Sequence, residues 1–131
     1  IIEKEINEFK QDTIFTHSVK DTNNDHKIIF NSTLIATRPL HVNKVSKLFT
    51  YEVLSSSEWR YTKTFSPNYF ISINENDILL KWKALECYLS EINNFPFPRS
   101  EKGLKTLAMY RGMQAGFEFA EAFELIRDFQ E

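Results

Sequence analysis

The chain has little of several features that would assign it to particular protein classes. Its single cysteine, Cys87, excludes an internal disulfide and favours a reducing, cytosolic compartment, with the thiol as a small buried hydrophobe in a helix. No apolar run approaches the roughly 20 residues of a membrane span. Sixteen basic and eighteen acidic residues leave a net charge of −2, without a basic run that could follow a phosphate backbone. Neither a membrane span nor nucleic-acid binding is therefore predicted.

The composition predicts a folded protein. Hydrophobic residues make up 42% of the 131 positions and aromatic residues 15%, which is enough to build a core in a single domain over residues 1–131. Ile1 opens directly into a helical pattern without a cap. We therefore expect the chain to be the C-terminal portion of a longer protein. A homo-oligomer is compatible with this composition.

The first half of the chain has the pattern of an α/β layer. Ile2, Ile6 and Phe9 recur at helical spacing, so residues 1–10 are predicted to form an amphipathic helix. A short apolar strand, Thr13 to His17, follows after two residues, an order typical of parallel α/β folds. A polar loop then leads to a helix over residues 26–37.

The second half is predicted to contain two strands and two helices. The strands cover residues 45–54 and 69–73. A helix with apolar positions from Ile78 to Ile92 begins at Asn74 or Asn76, and a last helix runs from Ser100 to about Phe119.

The polar loop carries the candidate chemistry. Asp21, Asn23 and Asp25 alternate along it, and His26 follows where the next helix begins. Ligands of α/β proteins bind at the carboxyl ends of strands, and imidazole and carboxylate groups are zinc ligands. Spacing alone leaves two interpretations open. Either His26 is a metal ligand backed by these polar groups, or Asp25 is a helix N-cap and His26 a surface residue.

Several ordered motifs extend over nearly the whole chain. They are Asp21-x-Asn23-x-Asp25-His26, Ala36-Thr37-Arg38-Pro39, Tyr51 to Trp59, Phe65-x-Pro67-Asn68-Tyr69-Phe70, Lys83 to Tyr88, Pro98-Arg99-Ser100, Tyr110-Arg111-Gly112 and Gly116-x-x-x-Ala120-Glu121-Ala122-Phe123. Together they resemble the second half of the LmbE-like, PIG-L family of zinc-dependent de-N-acetylases. The resemblance implies a Rossmann-like, layered α/β fold with a mostly parallel sheet, of which this chain is the C-terminal part.

The resemblance also implies roles for the loop residues. Family members carry an Ala-His-Pro-Asp-Asp-Glu motif that supplies two zinc ligands and a general base. That motif is absent here, so the remaining ligands of Zn²⁺ are expected upstream of residue 1. The third ligand of the family corresponds to His26, with Asp25 behind it. Asn23 stands where many members have a histidine that stabilises the oxyanion, and an amide can donate a hydrogen bond but transfers no proton.

Other residues are candidates for substrate contacts. Asp21, Glu58 and Trp59 lie in loops expected near the site, and aromatic faces and carboxylates bind sugars; for Glu58 and Trp59 the alternative is a role in loop structure. Arg99 either binds an anionic group of the substrate or caps the preceding carbonyls. His17 is interpreted as an ordinary strand end with a supporting role at most, and His41 as an ordinary residue.

The resemblance predicts a hydrolase that removes the acetyl group from an N-acetylated amino sugar, such as an N-acetylglucosamine conjugate. Residues 1–131 alone are expected to be inactive, because half of the catalytic apparatus would lie outside them. The alternative is a non-catalytic remnant of the fold that acts as a sugar-binding or interaction domain.

Overall fold

Helices and strands alternate along the chain in the computed structural model, which describes residues 1–39 and 44–130. The elements are α1 (Ile2–Phe9), β1 (Thr13–His17), α2 (Asn24–Ala36), β2 (Lys47–Tyr51), β3 (Tyr69–Ile73), α3 (Glu75–Glu86), a 3₁₀ turn (Leu89–Glu91), α4 (Glu101–Ala115) and β4 (Phe119–Asp128). The predicted α/β class is confirmed. His41, interpreted from the sequence as an ordinary residue, lies outside the described ranges. None of the described helices is long and apolar enough to cross a membrane.

The chain folds into two compact units. One contains residues 1–68 together with residues 123 onward, and the other is Tyr69–Ala122. That residues 1–131 act as a single domain stays a prediction.

The first unit contains the parallel strand pair that was expected. β1 and β2 run parallel, with His17 opposite Tyr51 at their carboxyl ends, whereas β4 runs antiparallel to β2. Within this unit the strand order is β1-β2-β4, so β4 makes the sheet mixed. A β-bulge leaves Ile126 as the extra residue of β4, because Leu48 pairs with Arg127 and Phe49 with Leu125.

The helix α2 packs on β1. The hydroxyl groups of Thr33 and Thr16 lie 3.2 Å apart across this contact. A buried cluster of Ile6, Ala36 and Val45 joins α1 to the same layer. Burial of Ile6 agrees with the helical pattern from which α1 was predicted.

Local capping sets where the helices of the second unit begin. The Asn74 side chain accepts hydrogen bonds from the backbone N–H groups of Asn76 and Asp77. The Asp77 side chain accepts one from the backbone N–H of Asn74, which completes a capping box at the start of α3. Ser100 caps α4 in a similar way through the N–H of Gly103. The sequence left Asn74 and Asn76 open as caps, and Asn74 is the one used.

Three expectations about the second half are wrong. The last helix ends at Ala115, and the residues after it form β4. The helix α3 ends at Glu86, before the 3₁₀ turn in which Leu89 is exposed. Cys87 follows α3 and is exposed, so it does not fill the core.

Candidate functional site

His26 lies near the carboxyl end of the parallel strand pair. β1 ends at His17, and the Asn23 side chain caps α2 by accepting a hydrogen bond from the N–H of Asp25 over 2.8 Å. His26 therefore falls in the first turn of the helix, with its side chain 15% exposed. This is the edge of an α/β sheet where ligands bind.

Asp21 is the acid that contacts His26. The Nδ1 atom of His26 lies 3.2 Å from Oδ2 of Asp21, close enough for an ion pair but without the alignment of a straight hydrogen bond. Asp21 is fully buried, and Ser56 and Ser57 both donate hydroxyl hydrogen bonds to it, the latter over 2.9 Å. The N–H of Asn23 donates a further bond of 2.8 Å.

These donors determine the charge state of Asp21. Burial raises the pKa of the carboxyl group, but hydrogen bonds from Ser56, Asn23 and Ser57, together with the nearby His26, lower it further than burial raises it. The net pKa is below the ordinary value, so Asp21 is a carboxylate at neutral pH. A buried carboxylate beside Nδ1 leaves Nε2 as the nitrogen that can bind a ligand.

His17 packs against one face of the His26 ring. The two imidazole rings stack with centroids 4.1 Å apart and an angle of 27° between their planes. The hydroxyl group of Tyr51 lies 3.3 Å from both ring nitrogens of His17. Burial and the neighbouring His26 lower the pKa of His17, while Asp21 opposes them; burial raises the pKa of Tyr51. His17 is therefore a neutral ring at neutral pH.

The loop after β2 carries the two serines that bind Asp21. The carboxylate of Glu58 accepts hydrogen bonds from the N–H groups of Ser55 (2.6 Å) and Ser56 (3.1 Å). Ser57 also accepts a bond of 2.8 Å from the N–H of Val53. Glu58 thus holds the serine loop in place.

The remaining residues predicted from the sequence to be catalytic or to bind substrate are Asn23, Asp25, Trp59 and Arg99. Asn23 and Asp25 are exposed at the start of α2, and Asn23 rather than Asp25 is the N-cap. Trp59 is 45% exposed next to the serine loop in sequence. Arg99 belongs to the second unit and pairs with Glu91 there. The catalytic and substrate-binding roles assigned to these residues stay predictions.

The side chains around His26 can supply one zinc ligand but not a complete zinc site. An imidazole whose Nδ1 faces a buried carboxylate is a common form of zinc-binding histidine. A catalytic zinc site generally takes three protein ligands, however. Within residues 1–39 and 44–130, no group of three or more His, Cys, Asp or Glu side chains could hold a metal ion.

Comparison with known proteins relates this fold to solved structures. No protein-family model matches the chain, and no curated protein is significantly similar to it in sequence. The chain is similar to the conserved protein TT1542 from Thermus thermophilus, with a TM-score of 0.73 and 18% identity over 99% of this chain and 58% of that chain. It is also similar to N,N′-diacetylchitobiose deacetylase from Pyrococcus horikoshii, with a TM-score of 0.71 and 19% identity over 96% of this chain and 49% of that chain.

These similarities establish the fold. The chain spans about half the length of either solved structure. It therefore shares the α/β fold of a deacetylase over nearly all of its own length.

Sequence reasoning missed two components of the site. His17 was interpreted as an ordinary strand end, although it stacks on His26. Ser56 and Ser57 were not singled out, although both bind Asp21. The available signal was the predicted parallel α/β layer, because the residues that follow neighbouring parallel strands lie at one edge of the sheet, as those after β1 and β2 do.

Proposed function

We propose that the chain is the C-terminal part of a zinc-dependent hydrolase that removes the acetyl group from an N-acetylated amino sugar, such as an N-acetylglucosamine conjugate. The observation that carries this proposal is the imidazole of His26, backed by the buried Asp21. It lies at the carboxyl edge of a fold shared with a diacetylchitobiose deacetylase. Fold alone does not define a reaction, so the chemistry is argued from the site.

In this proposal His26 binds zinc through Nε2, and the other ligands come from residues upstream of residue 1. Zinc bound there supplies a water of lowered pKa and polarises the amide carbonyl of the substrate. The described residues hold Nε2 of His26 in a fixed direction. Asp21 fixes one side of the ring and His17 covers one face.

The exposed start of α2 supplies the polar groups for the reacting amide. Asn23 uses its carbonyl oxygen to cap the helix, so its amide nitrogen is the atom that can donate a hydrogen bond to a developing oxyanion. Asp25 carries an exposed carboxylate beside His26 in sequence, which suits proton transfer to the leaving amine.

Substrate contacts are assigned to groups that keep an accessible surface. The half-exposed indole of Trp59 can stack on a sugar ring. Glu58 already binds two backbone N–H groups, and Asp21 is buried. A supporting role therefore suits both carboxylates better than the substrate contact predicted from the sequence. Arg99, paired with Glu91, keeps its proposed contact with an anionic group.

The decisive test is His26→Ala in the complete protein. We expect it to remove stoichiometric zinc and to lower acetate release from N,N′-diacetylchitobiose by at least about a hundredfold, because one of the metal ligands is lost. Asn31→Ala is the matched control, since Asn31 is exposed on the same helix. Metal analysis after dialysis and an acetate assay measure the two effects. A His26→Ala protein that retains both zinc and activity contradicts the proposal.

The same measurements address the non-catalytic alternative. A wild-type protein that binds N-acetylated sugars, holds no zinc and releases no acetate would be a sugar-binding domain. The incomplete ligand set of the described residues is the observation that keeps this alternative in the test.

A further inference from the structure

A cavity of about 360 Å³ lies beside β4 in the first unit. Its size is within the range of small-molecule sites. None of Asp21, His26, His17 and Tyr51 lines it. The polar groups that do are Ser18, Lys20, Thr50, Ser66, Asn68 and Glu124.

A buried carboxylate forms the polar wall of this cavity. Glu124 is only 7% exposed and accepts a hydrogen bond from the ammonium group of Lys20. It also accepts bonds from the N–H of Ser66 (2.8 Å) and the hydroxyl of Thr50 (3.3 Å). These three donors hold both carboxylate oxygens in place, so the wall is organised before any ligand arrives.

The cavity offers donors and an acceptor side by side. The Lys20 ammonium has three N–H donors, and Glu124 is the one acceptor it binds in the described chain. Ser18 is buried and accepts a bond from the N–H of Lys20, which leaves its own hydroxyl proton to donate. A ligand hydroxyl both donates and accepts, so it can bind Glu124 and Lys20 together.

The charges of Lys20 and Glu124 cancel. An anionic ligand therefore gains little net attraction here, and a neutral ligand with several hydroxyl groups suits the wall better.

Apolar side chains also line the cavity, among them Val19, Phe30 and Ile126. Ile126 is the extra residue of the β-bulge and is 41% exposed. Bulges redirect side chains and are common beside functional sites. A lining that combines polar and apolar groups matches a sugar ring, which has hydroxyl groups at its edge and C–H groups on its faces.

We propose that this cavity binds a neutral sugar ring, as a subsite for a second sugar unit of the substrate. Its lining includes Ser18 and Lys20, which lie one and three residues after His17 in the sequence. The link to the substrate rests on the proposed deacetylase function, whereas sugar binding itself does not.

Titration of the isotopically labelled complete protein by NMR tests this inference. The probes are cellobiose, which has no acetyl group, and N,N′-diacetylchitobiose added to the His26→Ala protein. Both are expected to shift the backbone amide signals of Lys20, Ser66 and Leu125 in a saturable manner. Ile126→Trp fills the cavity and should weaken this binding about tenfold or more. Ile35→Trp, which adds the same ring to an exposed isoleucine of α2, should leave it unchanged.

Two results would overturn the inference. One is the absence of shifts at these amides for both probes, and the other is equal affinity of the Ile126→Trp and Ile35→Trp proteins. Inorganic phosphate binding in preference to the sugars would also do so, because it would assign the cavity to anions. If His26→Ala keeps its activity while the sugars still shift these amides, the proposed reaction fails and the sugar site stands.

Discussion

Asp21 limits the orientations available to His26. Its carboxylate is fully buried and bound by two serine hydroxyls and one backbone N–H. It cannot rotate without leaving these donors unpaired. The imidazole beside it is held on one edge by this carboxylate and on one face by His17. His26 thus has the support that a metal-binding histidine requires.

Replacing Asp21 with Asn tests this positioning role. The amide keeps the shape of the carboxylate, but its NH₂ group is a donor and faces a neighbour that donates to Asp21 in the native protein. We expect zinc affinity of the complete protein to fall about 10- to 100-fold, the usual loss when a supporting carboxylate is removed. Competition with a chromophoric chelator measures the affinity.

Asp25→Asn is the control for this experiment. Asp25 is exposed, and its carboxylate makes no described contact with His26. Zinc affinity should therefore change little. An equal loss in both variants would return the supporting role to Asp25, as first predicted.

The sequence singled out His26 but not the acid that contacts it. The family resemblance placed Asp25 behind His26, and adjacent residues on a helix point in directions about 100° apart. Asp21 reaches the ring because the loop turns back, and Ser56 and Ser57 bind it from 35 and 36 residues away. Contacts of that range depend on strand register, which a single sequence does not specify.

The connection between α4 and β4 depends on two glycines. Gly112 lies against the turn, where an added Cβ would meet the carbonyl oxygens of Phe117 and Glu118 at 2.7 Å. Gly116 ends α4 with φ = 75°, a left-handed conformation that favours glycine. Gly112 thus allows close backbone approach, whereas Gly116 serves as the helix end.

Gly112→Ala is expected to destabilise the protein by about 1–3 kcal/mol, because the backbone of the turn must move to admit the methyl group. Met113→Ala is the neighbouring control, since Met113 is 72% exposed, and should change the free energy of unfolding by less than about 0.5 kcal/mol. Urea denaturation compares the two variants. A Gly112→Ala protein as stable as wild type would contradict the close contact.

Helix starts could be predicted from the sequence, and the last strand could not. Asn74 and Ser100 cap their helices through neighbours two or three residues away, so the signal is local. β4 contains Ala, Glu and Leu, which favour helix, but pairing with β2 makes it a strand. Tertiary pairing overrides local propensity here.

At the scale of the whole molecule, the chain has the fold of a deacetylase over about half of that enzyme's length. The described residues contribute one histidine with a preorganised partner and no complete ligand set. The central claim is therefore that His26 completes a zinc site whose other ligands lie outside residues 1–131.

The most direct test is a crystal structure of the complete protein, with anomalous diffraction recorded on both sides of the zinc absorption edge. The account predicts a zinc peak about 2.0–2.1 Å from Nε2 of His26, the usual zinc–nitrogen distance, with Nδ1 still facing Asp21. A zinc peak remote from His26, or bound through Nδ1 with Asp21 displaced, would contradict it.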